Sequence, residues 1–220
     1  MAHEPTASSG ERSSLRGVRL PRSAWIDVGV KAAFVLLVAY GALSGASQFE
    51  GKGFGWRLLA APVIVLVVPA LWALLGRRRP YPWAADALLT APWLVDVLGN
   101  VFDLYDTVGW WDDANHLVNW TLLCGGIGLL VLRARLGPLT SAALVVGLGA
   151  FLAVVWELGE YVAFIHDNED ELATAYRDTL GDELLGTIGA GAAGAGVLLA
   201  AHRRDNARMA LDPSLSKETM

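Results

Sequence analysis

Six apolar runs, each near the roughly 20 residues that cross a hydrocarbon core as a helix, constrain this chain more than any other feature. They extend from Trp25 to Ala46, Gly55 to Gly76, Tyr81 to Leu104, Trp111 to Leu132, Leu139 to Ile165 and Asp178 to His202. Of the 220 residues, 54% are hydrophobic and only 18% charged, and the mean hydropathy is +0.42. A water-exposed surface could hardly accommodate that balance. The expected fold is all-α: a polytopic bundle of six transmembrane helices, its neighbours antiparallel because the connections are short.

The distribution of positive charge gives the orientation. Arg12, Arg16, Arg19 and Arg22 precede the first run, Arg77 to Arg79 follow the second, Arg133 and Arg135 follow the fourth, and Arg203, Arg204, Arg208 and Lys217 follow the sixth. The alternate connections hold only Lys52, Arg57 and Arg177. By the positive-inside rule both termini are cytoplasmic, which an even number of spans satisfies. Trp25 and Trp83 at one face, and Trp56, Trp110 and Trp111 at the other, suit interfacial anchoring. The Arg-rich start and the small residues Ser44-Gly45-Ala46 imitate a cleaved signal peptide. Against cleavage stands Asp27 four residues before Lys31, which reads as a snorkelling ion pair at the inner end of a retained span.

Outside residues 24–202 the tails, 1–23 and 203–220, lack apolar periodicity and are expected to be disordered. The stretch from His166 to Asp178 reads as an acidic, solvated loop. No second domain, phosphate loop or nucleic-acid motif is present, and the short basic runs need only anionic headgroups of the inner or plasma membrane. The single cysteine, Cys124, lies within an apolar run and offers neither a disulfide framework nor a thiolate metal site.

The polar residues of the later runs converge on one level. Asp96, Asn100 and Asp103 close the third run on one face; Asp112, Asp113, His116 and Asn119 open the fourth; Glu157 and Glu160 close the fifth; Asp178, Asp182 and Glu183 open the sixth. Carboxylates at membrane depth cost about 2.5–3.5 kcal/mol each on insertion scales, so several in one bundle call for a proton, a cation or water. The expected metal ligands are Asp112, His116, Glu157 and Asp182, with Glu160 or Asp178 as a catalytic base. An imidazole among carboxylates suits a divalent Mn, Mg, Zn or Fe cation. Gly186, Ala190 and Gly194, at spacing four, are read as a helix-packing stripe.

At these positions the chain resembles the VanZ-like membrane proteins, and more closely the YjdF-type inner-membrane proteins. The resemblance rests on Asp112-x-x-x-His116, Glu157-x-x-Glu160 and Asp178-Thr179-x-x-Asp182 followed by Ile188-Gly189-Ala190, and covers roughly 110–201. It implies a shared site and names no reaction. The leading expectation is a cation-dependent enzyme acting on a lipid or envelope substrate. An ion- or proton-coupled transporter and a non-catalytic envelope-stress or binding protein are the rivals.

Overall fold

A computed structural model describes residues 20–211, and among them there is no strand. The helices are α1 (Arg22–Leu43), α2 (Phe54–Leu74), α3 (Trp83–Val101), the single turn α4 (Leu104–Thr107), α5 (Trp111–Arg133), α6 (Pro138–Glu160) and α7 (Glu169–Leu211). A π-helical turn, Tyr161–Ile165, continues α6. Five stretches, Arg22–Leu43, Phe54–Leu74, Trp111–Arg133, Pro138–Ala163 and Leu172–Leu211, are long and apolar enough to cross a membrane. The protein is an all-α membrane helix bundle.

Helix α3 is more polar than these five, yet side-chain contacts tie it to its neighbours at both ends. Near its start Asp86 pairs with Lys31 of α1, and near its end Asp96 pairs with Arg57 of α2. Beyond it, the Val101 carbonyl accepts from Gln48 at 3.0 Å. The chain therefore traverses the bundle six times, through α1, α2, α3, α5, α6 and α7. The arginine-rich end is laced by backbone carbonyls: Arg133 donates to Pro80, Arg79 to Arg133, and Arg204 to Leu132 and Leu136 at 3.2 and 3.0 Å. Such bonds occupy carbonyls that a helix terminus leaves without partners.

Helix α7 packs along both α5 and α6, α3 packs along α5 and α1, and α2 touches mainly α1. Small residues set the α5–α7 register. A Cβ added at Gly189 would lie 2.8 Å from the Leu117 carbonyl oxygen and 2.9 Å from the Thr121 nitrogen, so α7 can lie this close to the α5 backbone only because that position is glycine. One turn earlier Gly186 faces Trp120, and Ala190 packs with Cys124 and Gly149 of α6. The two helices run parallel, so the same register carries Asp182 to His116. The small-residue stripe read in the sequence packs on two neighbours, Gly186 against Trp120 of α5 and Gly194 against Val146 of α6.

Three expectations change. The stretch from His166 to Asp178 is no loop beyond Asn168, because α7 begins at Glu169, an acidic residue suited to the positive end of the helix dipole. Its residues from Leu172 remain largely exposed, as a solvated face should. Helix α7 also continues through Arg203 to Leu211, into the segment expected to lack structure. At about 1.5 Å per residue it is roughly 65 Å long and outruns the roughly 30 Å hydrocarbon layer. The expected disorder of residues 1–19 and 212–220 lies outside the described residues. Finally, Asp27 does not snorkel: it is 2% exposed, and Lys31 turns inward to reach both it and Asp86.

Candidate functional site

At the end opposite the arginine-rich connections, α5, α6 and α7 surround one imidazole. His116, buried, faces Asp182 through Nε2 at 3.7 Å and Asp112 through the same nitrogen at 3.9 Å, while Nδ1 faces Glu157 at 4.0 Å. These separations exceed hydrogen-bond length. They match the gap between two ligands of one ion, roughly 3–4 Å when each bond is about 2.1 Å. One ligand atom each from Asp112, His116 and Asp182 can be chosen within 4.8 Å of one another, and the same holds for His116, Glu157 and Glu160. Nδ1 of His116, on the side that faces Glu157, is enclosed and without a hydrogen-bond partner among the described residues. Glu157 in turn accepts from the Thr179 hydroxyl of α7.

Each of these side chains has a local reason for its place. Asp112 and His116 stand one turn apart on the first two turns of α5, where carboxylates are favoured by the dipole. Glu157 and Glu160 close α6 immediately before the wider π turn, a feature frequent at functional sites. Asp178 stands one turn before Asp182 but is exposed on α7 and lies outside both groups. Asp113 is likewise exposed.

The cluster opens onto a cavity of about 580 Å³. Asp112, His116 and Glu160 line it, with Trp93, Trp120, Leu123 and Trp156 forming its apolar side. Across from them a polar chain runs through four helices. Arg57 of α2 donates to Asp96 of α3, whose other oxygen accepts from Tyr105 at 3.0 Å. The Tyr105 hydroxyl accepts from Asn115 at 2.7 Å, and Asn115 accepts from Asn119 at 2.9 Å. Burial, reinforced by the nearby Asp112 carboxylate, pushes the Tyr105 phenol above its ordinary range, so it remains a donor.

Of the residues read from the sequence, Asp112, His116, Glu157, Glu160 and Asp182 are brought together, and Asp96, Asn100 and Asn119 line the adjoining cavity. Asp103 leaves the expected face. It follows the end of α3 in the left-handed conformation, φ 57°, which Asp tolerates better than most residues, and its carboxylate turns toward Lys52 at 3.5 Å. Sequence reasoning missed Lys52, Arg57, Tyr105 and Asn115 as cavity residues. Arg57 carried a usable signal, an arginine three residues into an otherwise apolar helix.

The family comparison agrees with this architecture: the model of a family described as predicted membrane protein, DUF2238, matches residues 31–204. The chain belongs to that family. YjdF-type proteins are members of DUF2238 as well, so the closer of the two resemblances holds. No curated protein and no solved structure matches the chain. The matched region of this DUF2238 protein begins at Lys31 and contains every residue of the cluster and its cavity.

Proposed function

We propose that this protein holds a divalent cation between His116 Nε2, Asp112 and Asp182 at the outer face of a plasma membrane, and uses it on the polar head of an amphiphilic lipid or envelope substrate. The observation that carries the reading is the geometry around Nε2: two carboxylates face one buried nitrogen at ligand spacing and beyond hydrogen-bond reach. The local charge argues the same way. Four carboxylates, Asp112, Glu157, Glu160 and Asp182, surround one imidazole, whereas the nearby cations are already engaged, Arg57 with Asp96 and Lys52 with Asp103 and Asp106. A cation offsets that surplus, and the donor set suits Mn, Mg, Zn or Fe.

In this reading Glu157 orients the imidazole through Nδ1–H, a positioning role typical of the partner behind a metal-bound histidine. Glu160, which lines the cavity, is the general base, and Asp178 is not used. When bound, the cation would polarise a water, or a phosphoryl or carbonyl oxygen of the substrate. The tryptophan-rich wall accepts the apolar part of the substrate. The likeness to VanZ-like proteins falls on the same acidic and histidine positions and is consistent with this assignment.

Elemental analysis of detergent-purified protein tests the cation. Wild type and Glu160→Gln are expected to carry about one metal ion per chain, and His116→Ala and Asp182→Asn to lose it while still inserting, because insertion reads apolarity. Absence of metal from wild type, with no thermal stabilisation on metal titration, rejects the site. Mass spectrometry of a lipid extract incubated with loaded wild type and with Glu160→Gln tests turnover; identical extracts reject the enzyme and leave a binding protein. A carrier is the second reading, favoured by the buried Asp27 and Asp86 and the half-buried Lys31 at the other end of α3. It ranks lower because, beyond Lys31 on α1, Phe34 and Val38 are enclosed in an apolar cluster that offers no polar path outward among its residues.

A further inference from the structure

The arginine-rich end contains a second polar cluster that the proposed cation chemistry does not use. Asp27 and Lys31 stand one turn apart on α1, and α3 brings Asp86 alongside them. Asp86 is 0% exposed. Its Oδ2 accepts from both Lys31 and the Tyr81 hydroxyl, and its Oδ1 has no partner among the described residues. Asp27 touches the Lys31 ammonium only at 3.4 Å through Oδ2, and its Oδ1 is equally enclosed and unpartnered.

Among the described residues, the neighbouring arginines are engaged elsewhere: Arg77 stacks over Trp72 at 5.2 Å and Arg79 donates to the Arg133 carbonyl. Helix α5 meets this part of α3 through Gly125 and Gly126, which lie against Leu88, Leu89 and the Ala85 carbonyl. Its terminal Arg133 is committed to the Pro80 carbonyl. Helix α2 presents Trp72, whose ring meets Tyr81 edge-on. Burial and the Asp86 hydrogen bond push the Tyr81 phenol above its ordinary range, so Tyr81 donates and brings no charge. Among the described residues, two enclosed carboxylates thus share one ammonium, and one negative charge is left over. Such a charge is costly unless something neutralises it.

We propose that this cluster is a proton-binding site, with the proton held on Asp27 Oδ1 so that Lys31 and Asp86 form a balanced pair. A proton adds almost no volume, whereas a metal ion would have to part packed atoms and compete with the Lys31 ammonium. Asp27 is the carboxylate that gains most from it, because Asp86 already receives two donors on its Oδ2. Helix α1 begins at Arg22, so Asp27 lies roughly 8 Å of helix from the arginine-rich surface, within reach of protons from that side. The site is separate from the His116 cluster and does not depend on metal there.

Infrared spectroscopy of the full-length protein in detergent, in the carboxylic C=O stretching region, tests the assignment as pH is raised. Expected is one carboxylic band that disappears at high pH, is absent from Asp27→Asn, is displaced in Asp27→Glu and persists in Asp182→Asn. The last variant separates this site from the outer cluster. A band set unchanged in Asp27→Asn overturns the proposal. So does stabilisation of wild type by sodium at constant ionic strength that Asp27→Asn abolishes, which would make the ligand a metal ion. If Asp27→Asn does not insert, Asp27→Glu decides alone, and a band that fails to move overturns the proposal.

Discussion

The two ends of helix α3 solve the same problem in opposite ways. At the arginine-rich end, Asp86 is fully enclosed and receives an ammonium and a phenol directly, so a closed cluster satisfies most of its own charge. At the other end, the carboxylates around His116 stand apart from it and adjoin a cavity. The first arrangement resists change because its charges are mutually dependent. The second leaves room between its donors and is suited to an exchangeable occupant. Burial alone does not distinguish them, since His116, Glu157 and Asp182 are also buried; the distances from carboxylate oxygen to the nearest nitrogen do.

The sharpest way to break this contrast is Lys31→Met. It leaves the buried Asp86 without its cation beside Asp27, and removal of one partner from a buried ion pair costs about 3–5 kcal/mol. Thermal unfolding in detergent should show it as the largest loss among these variants, with metal content unchanged. A loss no greater than that of a surface variant would remove the distinction between the ends. Gly189→Val should follow, at about 1–3 kcal/mol, because its Cβ meets the α5 backbone. Unlike Lys31→Met it should also lower metal content, since spreading α5 from α7 carries Asp182 away from His116; metal retained at the wild-type level would show that this register does not build the site.

Asp182→Asn should be smaller again in stability, within about 1 kcal/mol in metal-free protein, because it relieves repulsion while replacing a carboxylate that has no direct hydrogen bond to His116. Its large effect should be on metal stoichiometry. A severe loss in metal-free protein would recast the outer cluster as a structural network like the inner one. The smallest effect belongs to Lys52, whose hydrogen bond, aided by one with Asp103, holds the exposed Asp106 carboxyl below its ordinary range. A depressed folded pKa contributes stability that is present above the unfolded value, near 3.9, and lost as pH falls through the folded value. Hydrogen exchange around residues 104–107 should therefore accelerate in that acidic window in wild type, and Lys52→Met should abolish the dependence; an unchanged profile would detach Lys52 from this edge of the cavity.

The six passes and the level of the polar residues were legible in the sequence for a simple reason. Membrane insertion is governed by apolar length, and a carboxylate within such a run is costly enough to stand out. Asp112, His116, Glu157, Glu160 and Asp182 could thus be recognised from composition and helical spacing. The extension of α7 could not, because an exposed polar helix beyond the membrane has no apolar stripe to mark it. Nor could the departure of Asp103, which depends on one left-handed residue at a helix end.

What the sequence determined by itself is the material of the protein: an all-α membrane bundle with acidic and histidine residues concentrated at one depth. Only the tertiary structure decided which of them meet. Gly189 lets α7 approach α5 closely enough to set Asp182 against Nε2, α6 delivers Glu157 to Nδ1, and α3 draws Asp27 and Lys31 away from the interface into a second cluster. Hydropathy along a chain records depth, a one-dimensional quantity. Pairing between helices depends on their rotation and register, which the side chains of two different helices fix together.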